Sequence, residues 1–176
     1  IMYDQPTSLQ VWCSGNHRGR GPIPHGGNTF VLYGEDGIEF HTGMPQDNGC
    51  DDGYDCLGPL ATAKNPLVVG ATRKIPGGWS PGQEVTIAPF SSWGPTDDGR
   101  IKPDVVAAGV AIKSTWHRGL DPMTAEPLYG ITGGCSFASP TVTGSVALLL
   151  QYHRQLWSTT DADRPRSATT KGWLIH

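Results

Sequence analysis

Residues 133–144 read G-G-C-S-F-A-S-P-T-V-T-G and indicate both how the chain folds and where its chemistry lies. Apolar side chains then recur at helical spacing at Val142, Val146 and Leu150, which predicts a buried helix beginning near Ser136. The first N–H groups of a helix have no internal partner, and the helix dipole is positive at that end. The Ser136 oxygen is therefore placed where developing negative charge is stabilised, as an acyl-transfer nucleophile requires.

The alternative is that Ser136 only caps a core helix, which is what most serines at helix starts do. The surrounding residues favour the chemical role, because G-C-S-F-A-S-P-T-V-T-G resembles the nucleophile signature of the subtilisin-like serine proteases, usually G-T-S-M-A-x-P-x-V-x-G. The chain departs from that signature at Cys135, where threonine is usual, and at Phe137, where methionine is usual. The resemblance implies that Ser136 is the catalytic nucleophile of a peptidase.

A second informative segment lies near the start of the chain. Apolar residues 9–13 predict a short buried strand that runs into a tight turn ending at Asn16. By turn chemistry alone, an asparagine after a glycine is a local turn residue. However, V-W-C-S-G-N resembles the A-A-G-N segment of the same family, whose asparagine amide donates a hydrogen bond to the oxyanion. The resemblance implies that role for Asn16, and it places Cys13, Ser14 and Gly15 along one wall of the substrate pocket.

Two further blocks resemble the family in the same order along the chain. Residues 61–71 read A-T-A-K-N-P-L-V-V-G-A, and residues 90–112 contain F-S-S-W-G-P and K-P-D-V-V-A-A-G, with Ala108 where proline is usual. The blocks predict strands at 66–70, 105–107 and 110–112 and a turn at 96–99. Read without the resemblance, the charged residues of the second block have no catalytic role: Asp97, Asp98 and Arg100 belong to a solvated turn, and Asp104 starts a strand.

Strands of this length alternating with helices imply an α/β fold with a parallel sheet. The first helix is predicted to end near residues 153–157, and Ser167 is predicted to cap a second one. The resemblance implies a three-layer, subtilisin-like arrangement of a parallel β-sheet flanked by helices. We expect this arrangement to be incomplete at both ends, with residues 1–176 forming the C-terminal part of a catalytic domain that carries an inserted loop region at 18–60. A hairpin is predicted inside that region, through 29–33 and 37–41.

A serine nucleophile needs a general base and a carboxylate that orients it, and neither can be assigned in this sequence. In the family, the catalytic residues follow one another along the chain in the order Asp, His, oxyanion Asn and Ser. Only fifteen residues precede Asn16 here, too few to hold the Asp and His motifs. His25, in H-G-G, lacks the second histidine of the family motif and follows Asn16, so it is rejected as the base. We therefore expect the N-terminal part of the catalytic domain to be a partner that supplies both groups, and this chain alone to be inactive.

The amino-acid composition restricts the classes of partner that this protein can bind. Twenty-four glycines, fifteen prolines and 16% charged residues describe a loop-rich globular protein. A net charge of −3 with scattered basic residues excludes a nucleic-acid footprint, and no apolar run approaches the length of a membrane span. The expected partner is a protein or peptide substrate, and the resemblance implies a secreted enzyme.

No cofactor is expected to be required. Asp47, Asp51, Asp52 and Asp55, with Asn48, could gather around calcium, but the spacing lacks the glutamate of an EF-hand loop, so a solvated acidic loop is favoured. Catalysis by an activated serine also needs no metal. A disulfide between Cys50 and Cys56 and two unpaired thiols are equally compatible with their spacing.

Two other functions remain as alternatives. A non-catalytic fragment with the same fold, acting as a binding or structural module, would explain the absent Asp and His and the departures from the signatures. An esterase of the α/β-hydrolase type is disfavoured, because its nucleophile elbow is G-x-S-x-G, whereas here Gly134 is followed by C-S-F-A.

Overall fold

The computed structural model describes residues 5–16, 18, 29–34, 37–42, 56–120, 127–157, 160 and 163–176. The strands in these ranges are β1 Val11–Cys13, β2 Thr29–Gly34, β3 Gly37–Thr42, β4 Leu67–Thr72, β5 Val105–Ala108, β6 Ile112–Leu120 and β7 Pro127–Thr132. The helices are α1 Cys135–Trp157 and α2 Ser167–Ile175, and a 3-10 turn spans Pro59–Thr62. No described helix is both long and apolar enough to cross a lipid bilayer.

Strands β1, β4 and β5 form a parallel sheet in the order β1-β4-β5. The central strand β4 reads L-V-V-G-A-T, and all six of its residues are buried. A strand covered on both faces is expected to be a continuous apolar run, since neither face meets water. The predicted α/β class with a parallel sheet is confirmed.

Helix α1 packs on one face of this sheet. Leu67, Val69 and Ala71 of β4 join Val142 and Val146 of the helix in one buried cluster. Alternate residues of a strand point to opposite faces, so Val68 lies on the other face, where it packs with Leu57 and Ala61. Among the described residues, that second face is covered by the segment around the 3-10 turn.

Gly109, directly after β5, brings the start of α1 against the carboxyl end of the sheet. The Gly134 N–H donates to the Gly109 carbonyl at 2.8 Å. A methyl group at residue 109 would lie 2.7 Å from the Ala71 Cβ and 2.8 Å from the Gly134 carbonyl oxygen. Only glycine allows this approach, so the position of the α1 N-terminus is tied to the end of β5.

Several smaller predictions meet different outcomes. The hairpin of β2 and β3 is confirmed as an antiparallel pair, and the turn at 96–99 closes through a bond from the Gly99 N–H to the Thr96 carbonyl. The strand predicted at 110–112 does not join the parallel sheet, because Ile112 begins β6, which pairs antiparallel with β7. Ser167 does not cap α2: Arg166 occupies the cap position, and no side chain caps the helix there.

Asp104 joins three elements at the amino end of the sheet. Its carboxylate lies 2.8 Å from the Lys102 Nζ and 3.0 Å from the Nζ of Lys171 on α2. It also accepts the Val68 N–H at 2.8 Å. Burial raises the pKa of Asp104, but the hydrogen bonds from Lys102 and Val68 outweigh burial and hold the pKa below its usual value.

Replacing Asp104 with asparagine is expected to destabilise the protein by about 2–4 kcal/mol, because it leaves two partly buried ammonium groups without a counter-charge. The depressed pKa means that Asp104 stabilises the fold above its unfolded pKa of about 4 and loses this effect as the pH falls through its lower folded value. Urea unfolding at neutral and acid pH measures both effects.

The matched control is Asp98→Asn, which removes an exposed partner of Arg100 and is expected to leave the stability at neutral pH nearly unchanged. Equal midpoints for the two variants would show that the Asp104 cluster does not anchor the sheet.

Candidate active site

Ser136 is the second residue of α1, and its side chain is exposed. The residues before it make a tight entry into the helix, in which the Phe137 N–H donates to the Gly134 carbonyl at 3.0 Å. The hydroxyl is thus accessible at a helix N-terminus, where unpaired backbone N–H groups and the dipole favour negative charge.

Asn16, predicted to act with Ser136, lies beside that helix start. The Cys135 N–H donates to the Asn16 Oδ1 at 2.8 Å. This bond fixes the amide orientation, because only the oxygen can accept from an N–H group. The Nδ2 end therefore remains a donor, and a methyl group built on Gly134 would lie 3.3 Å from it. The structure brings together two residues that are 120 positions apart in the sequence.

Gly15 sets the direction in which Asn16 leaves β1. Its φ of 118° is one that side-chain-bearing residues rarely adopt. A methyl group at this position would also lie 2.8 Å from the Ser92 Oγ and 3.2 Å from the Gly58 nitrogen. The Ser92 N–H donates to the Gly15 carbonyl at 3.0 Å, and the Gly58 N–H to the Ser14 carbonyl at 2.8 Å.

This support is not predicted from the sequence. The block that contains F-S-S-W-G-P predicts only strands and a turn, whereas in the structure Ser92 holds the turn that carries Asn16. Ser91 of the same block accepts the Ala71 N–H at 2.9 Å, which anchors the block to β4. The signal was present in the sequence as two adjacent serines within an apolar segment, where buried hydroxyls need partners.

Two cysteines lie near Ser136, one on β1 and one directly before it in α1. The Cys13 Sγ lies 3.9 Å from the Ser136 Oγ, and the Sγ of fully buried Cys135 accepts the Gly15 N–H at 3.2 Å. A hydrogen bond from the Cys135 thiol, helped by one from Ser136, lowers the pKa of Cys13 to about 6 despite partial burial. The same contact with Cys13, together with burial, raises the pKa of Cys135. The more exposed sulfur is thus the one that ionises.

Ser14, predicted to line the pocket wall with its neighbours, differs from them in burial. Its side chain is fully buried, and its Oγ has no hydrogen-bond partner among the described residues. Cys13 and Gly15 are partly exposed. The pocket-lining role of all three residues stays a prediction.

No histidine with a described side chain approaches Ser136. His153 packs between aromatic rings, with centroids 5.1 Å from Trp173 and 6.5 Å from Trp157. It lies seventeen residues along α1 from Ser136, which corresponds to about 25 Å of helix. His25 lies outside the described residues.

The structure holds no group of three or more His, Cys, Asp or Glu side chains suited to a metal within the described ranges. The acidic stretch at 47–55 lies outside those ranges, and so does Cys50, so the calcium and disulfide alternatives stay open. A groove of about 400 Å³ opens beside β5, with Val106 and Pro103 in its lining. Its lining includes none of the predicted catalytic or pocket residues.

Comparisons with known proteins define the class of this protein. A family model described as "Subtilase family" matches residues 2–176. Together with the parallel sheet and the site at its carboxyl end, this match shows that the chain belongs to the subtilase family of serine peptidases.

Curated relatives match parts of the chain. It is 42% identical over 101 residues to the uncharacterized protein aq_aa18 of Aquifex aeolicus, covering 52% of this chain and 44% of that protein. It is 48% identical over 69 residues to pyrolysin of Pyrococcus furiosus, covering 38% of this chain and 4% of pyrolysin. It is 38% identical over 103 residues to C5a peptidase of Streptococcus pyogenes, covering 58% of this chain and 8% of that protein. The matched stretches thus span less than half of each of these relatives.

Replacing Gly15 with alanine is expected to destabilise the protein, because the new methyl group both strains a positive φ and collides with Ser92. The matched control is Gly82→Ala, whose φ of 87° is also positive but where a methyl group would meet nothing within 4 Å. The difference between the two is the cost of the collision, expected to be about 1–3 kcal/mol. Urea unfolding of both variants measures it, and equal losses would show that Ser92 does not hold this turn.

Replacing Ser14 with alanine is expected to leave the stability unchanged or to raise it by about 1 kcal/mol. A buried hydroxyl without a partner carries a desolvation cost of about 1–3 kcal/mol, which the substitution removes. Thermal unfolding measures the change. A loss of more than about 1 kcal/mol would contradict the unpaired state of the Ser14 Oγ, since such a loss is typical of a broken hydrogen bond.

Proposed function

We propose that this protein is a serine endopeptidase in which the Ser136 Oγ attacks the carbonyl carbon of a peptide bond. The observation that carries the proposal is the bond from the Cys135 N–H to the Asn16 Oδ1. It supports the proposal because it leaves the Nδ2 donor beside the helix start from which Ser136 projects.

In the proposed reaction, the Ser136 backbone N–H and the Asn16 Nδ2 stabilise the oxyanion of the tetrahedral intermediate. Both donors are fixed before substrate binds: one belongs to the helix backbone, and the other is held by its own amide oxygen. Such preorganised donors act on the charge that develops in the transition state and need no reorganisation during the reaction.

The proton of Ser136 must be taken by a base, and His153, about 25 Å further along α1, is too distant to take it. We propose that an imidazole and its orienting carboxylate come from an N-terminal part of the catalytic domain that packs beside the α1 N-terminus. The fold offers the accessible position that this requires, since the Ser136 side chain is exposed. No metal or other cofactor takes part in the proposed reaction. Secretion of the enzyme, which the resemblance implies, stays a prediction.

Labelling with a fluorophosphonate probe tests the nucleophile. The parent protein, which carries the proposed N-terminal part, is expected to be labelled, and Ser136→Ala in that protein is expected to abolish the labelling. The matched control is Ser145→Ala: Ser145 is an exposed serine of the same helix whose Oγ donates to the Thr141 carbonyl at 3.1 Å, and its loss should leave labelling intact. Labelling that persists in Ser136→Ala would assign the nucleophile elsewhere.

Asn16→Asp tests the oxyanion donor, because it keeps an oxygen to accept the Cys135 N–H and removes the Nδ2 donor. Turnover of a peptide substrate is expected to fall by at least two to three powers of ten, the magnitude known for loss of such a donor in subtilisin, itself a member of this family. A folded parent protein that carries the N-terminal part but is neither labelled nor able to cleave peptides would instead favour the non-catalytic binding module.

A further inference from the structure

Cys13 is the last residue of β1, and Cys135 is the first residue of α1. Their two segments are joined on both sides: the Gly15 N–H donates to the Cys135 Sγ, and the Cys135 N–H donates to the Asn16 Oδ1. Neither thiol has a role in the proposed peptide hydrolysis. The Cys13 sulfur nonetheless lies 3.9 Å from the Ser136 hydroxyl, and Cys135 directly precedes Ser136 in the chain.

Exposure separates the two sulfurs. Cys135 is fully buried, whereas Cys13 is partly exposed and lies 3.9 Å from the exposed Ser136 Oγ. A reagent that reaches Ser136 from solvent can therefore also reach the Cys13 sulfur. The buried thiol behind it serves as a hydrogen-bond donor and not as a point of attack.

We propose that Cys13 is a modification site for small-molecule disulfides, and that the adduct formed there blocks the Ser136 hydroxyl. The inference rests on the proposed function, since it assigns a consequence to the nucleophile. The ligand class follows from the partial exposure of Cys13, because a thiolate that a reagent can reach attacks a disulfide sulfur by exchange.

The reaction balances without any further oxidant. The Cys13 thiolate attacks one sulfur of the disulfide R–S–S–R, a Cys13–S–S–R bond forms, and the second half leaves as the thiolate R–S⁻ with the bonding electron pair. Cys13 is oxidised, and the released half of the reagent is reduced. A reducing thiol such as dithiothreitol reverses the exchange.

The low pKa of Cys13 makes it reactive below neutrality. Among the described residues, the side chains that lower this pKa are Cys135 and Ser136, both from α1, and the adjacent strand β4 has no ionisable side chain. At pH 6 the ionised fraction of Cys13 is therefore larger than that of an ordinary thiol. The lower nucleophilicity of the weaker base offsets part of this gain, so the net advantage in exchange rate is on the order of tenfold.

The adduct is placed to obstruct catalysis. A disulfide bond adds a sulfur and a substituent about 2 Å beyond the Cys13 Sγ, and that sulfur is only 3.9 Å from the Ser136 Oγ. The added group therefore occupies space that an acyl donor must enter. We expect the adduct to reduce fluorophosphonate labelling of Ser136 at least tenfold.

Treatment of the protein with bis-hydroxyethyl disulfide tests the inference. Peptide mass spectrometry maps the adduct, and fluorophosphonate labelling follows Ser136 before treatment, after treatment and after dithiothreitol. At pH 6, Cys13 is expected to react about tenfold faster in the folded protein than in the same protein unfolded in urea. Labelling of Ser136 should fall with adduct formation and return on reduction.

Three variants sharpen the test. In the Cys13→Ala variant, labelling of Ser136 should not change on treatment with the disulfide. In the Cys56→Ala variant, labelling should still fall on treatment, since Cys56 is buried and its thiol donates to the Trp93 carbonyl. Cys135→Ala removes the thiol donor and is expected to raise the pH at which Cys13 reacts at half its maximal rate. An unchanged pH profile in Cys135→Ala would remove Cys135 from the site.

The outcomes separate the inference from the proposed function. An adduct on Cys13 with unchanged labelling of Ser136 overturns the blocking role, and a folded protein in which Cys13 is not modified overturns the site itself. If Ser136 is never labelled, the peptidase proposal fails and the blocking role falls with it. The rate of adduct formation on Cys13, read by mass spectrometry, still decides whether the thiol site exists.

Discussion

The bond from the Cys135 N–H to the Asn16 Oδ1 joins two segments that are 119 residues apart in the sequence. One partner is the first helical residue, whose N–H has no acceptor within the helix, and the other is the amide that ends the turn after β1. This bond determines which end of the Asn16 amide is left to donate. It also sets the separation between that donor and Ser136, on which the proposed chemistry and the thiol contact both depend.

The carboxyl end of the parallel sheet carries the candidate active site, and the amino end carries an ion cluster. At the carboxyl ends of β1 and β5, glycines at 15 and 109 bring backbone segments closer than a side chain would permit, and Ser136 projects from the helix that starts there. At the amino ends, Asp104 holds two lysines and a backbone N–H. This separation follows from parallel strands, whose carboxyl ends all lie at one edge, which is where ligands bind in open α/β sheets.

Cysteines replace the usual residues at two positions of the family segments. At residue 135 the substitution keeps a compact side chain, so the helix start is preserved, and the sulfur accepts the Gly15 N–H. At residue 13 it adds a soft nucleophile near the hydroxyl of Ser136. Ser14, which takes the place of an alanine in A-A-G-N, is buried, and its Oγ has no hydrogen-bond partner within the part of the chain that the structure describes. The backbone geometry of the site thus tolerates chemically different side chains.

The amino-acid sequence by itself determined the α/β class, the central buried strand and the helix that carries Ser136, because each depends on local spacing of apolar residues. It also indicated that Ser136 and Asn16 belong together, through two signatures in family order. The tertiary structure alone decided the antiparallel pairing of β6, the cap of α2, the burial of Ser14, the support from Ser92 and the proximity of Cys13 to Ser136. Each of these depends on which distant segment packs against a residue, and local periodicity carries no information about that.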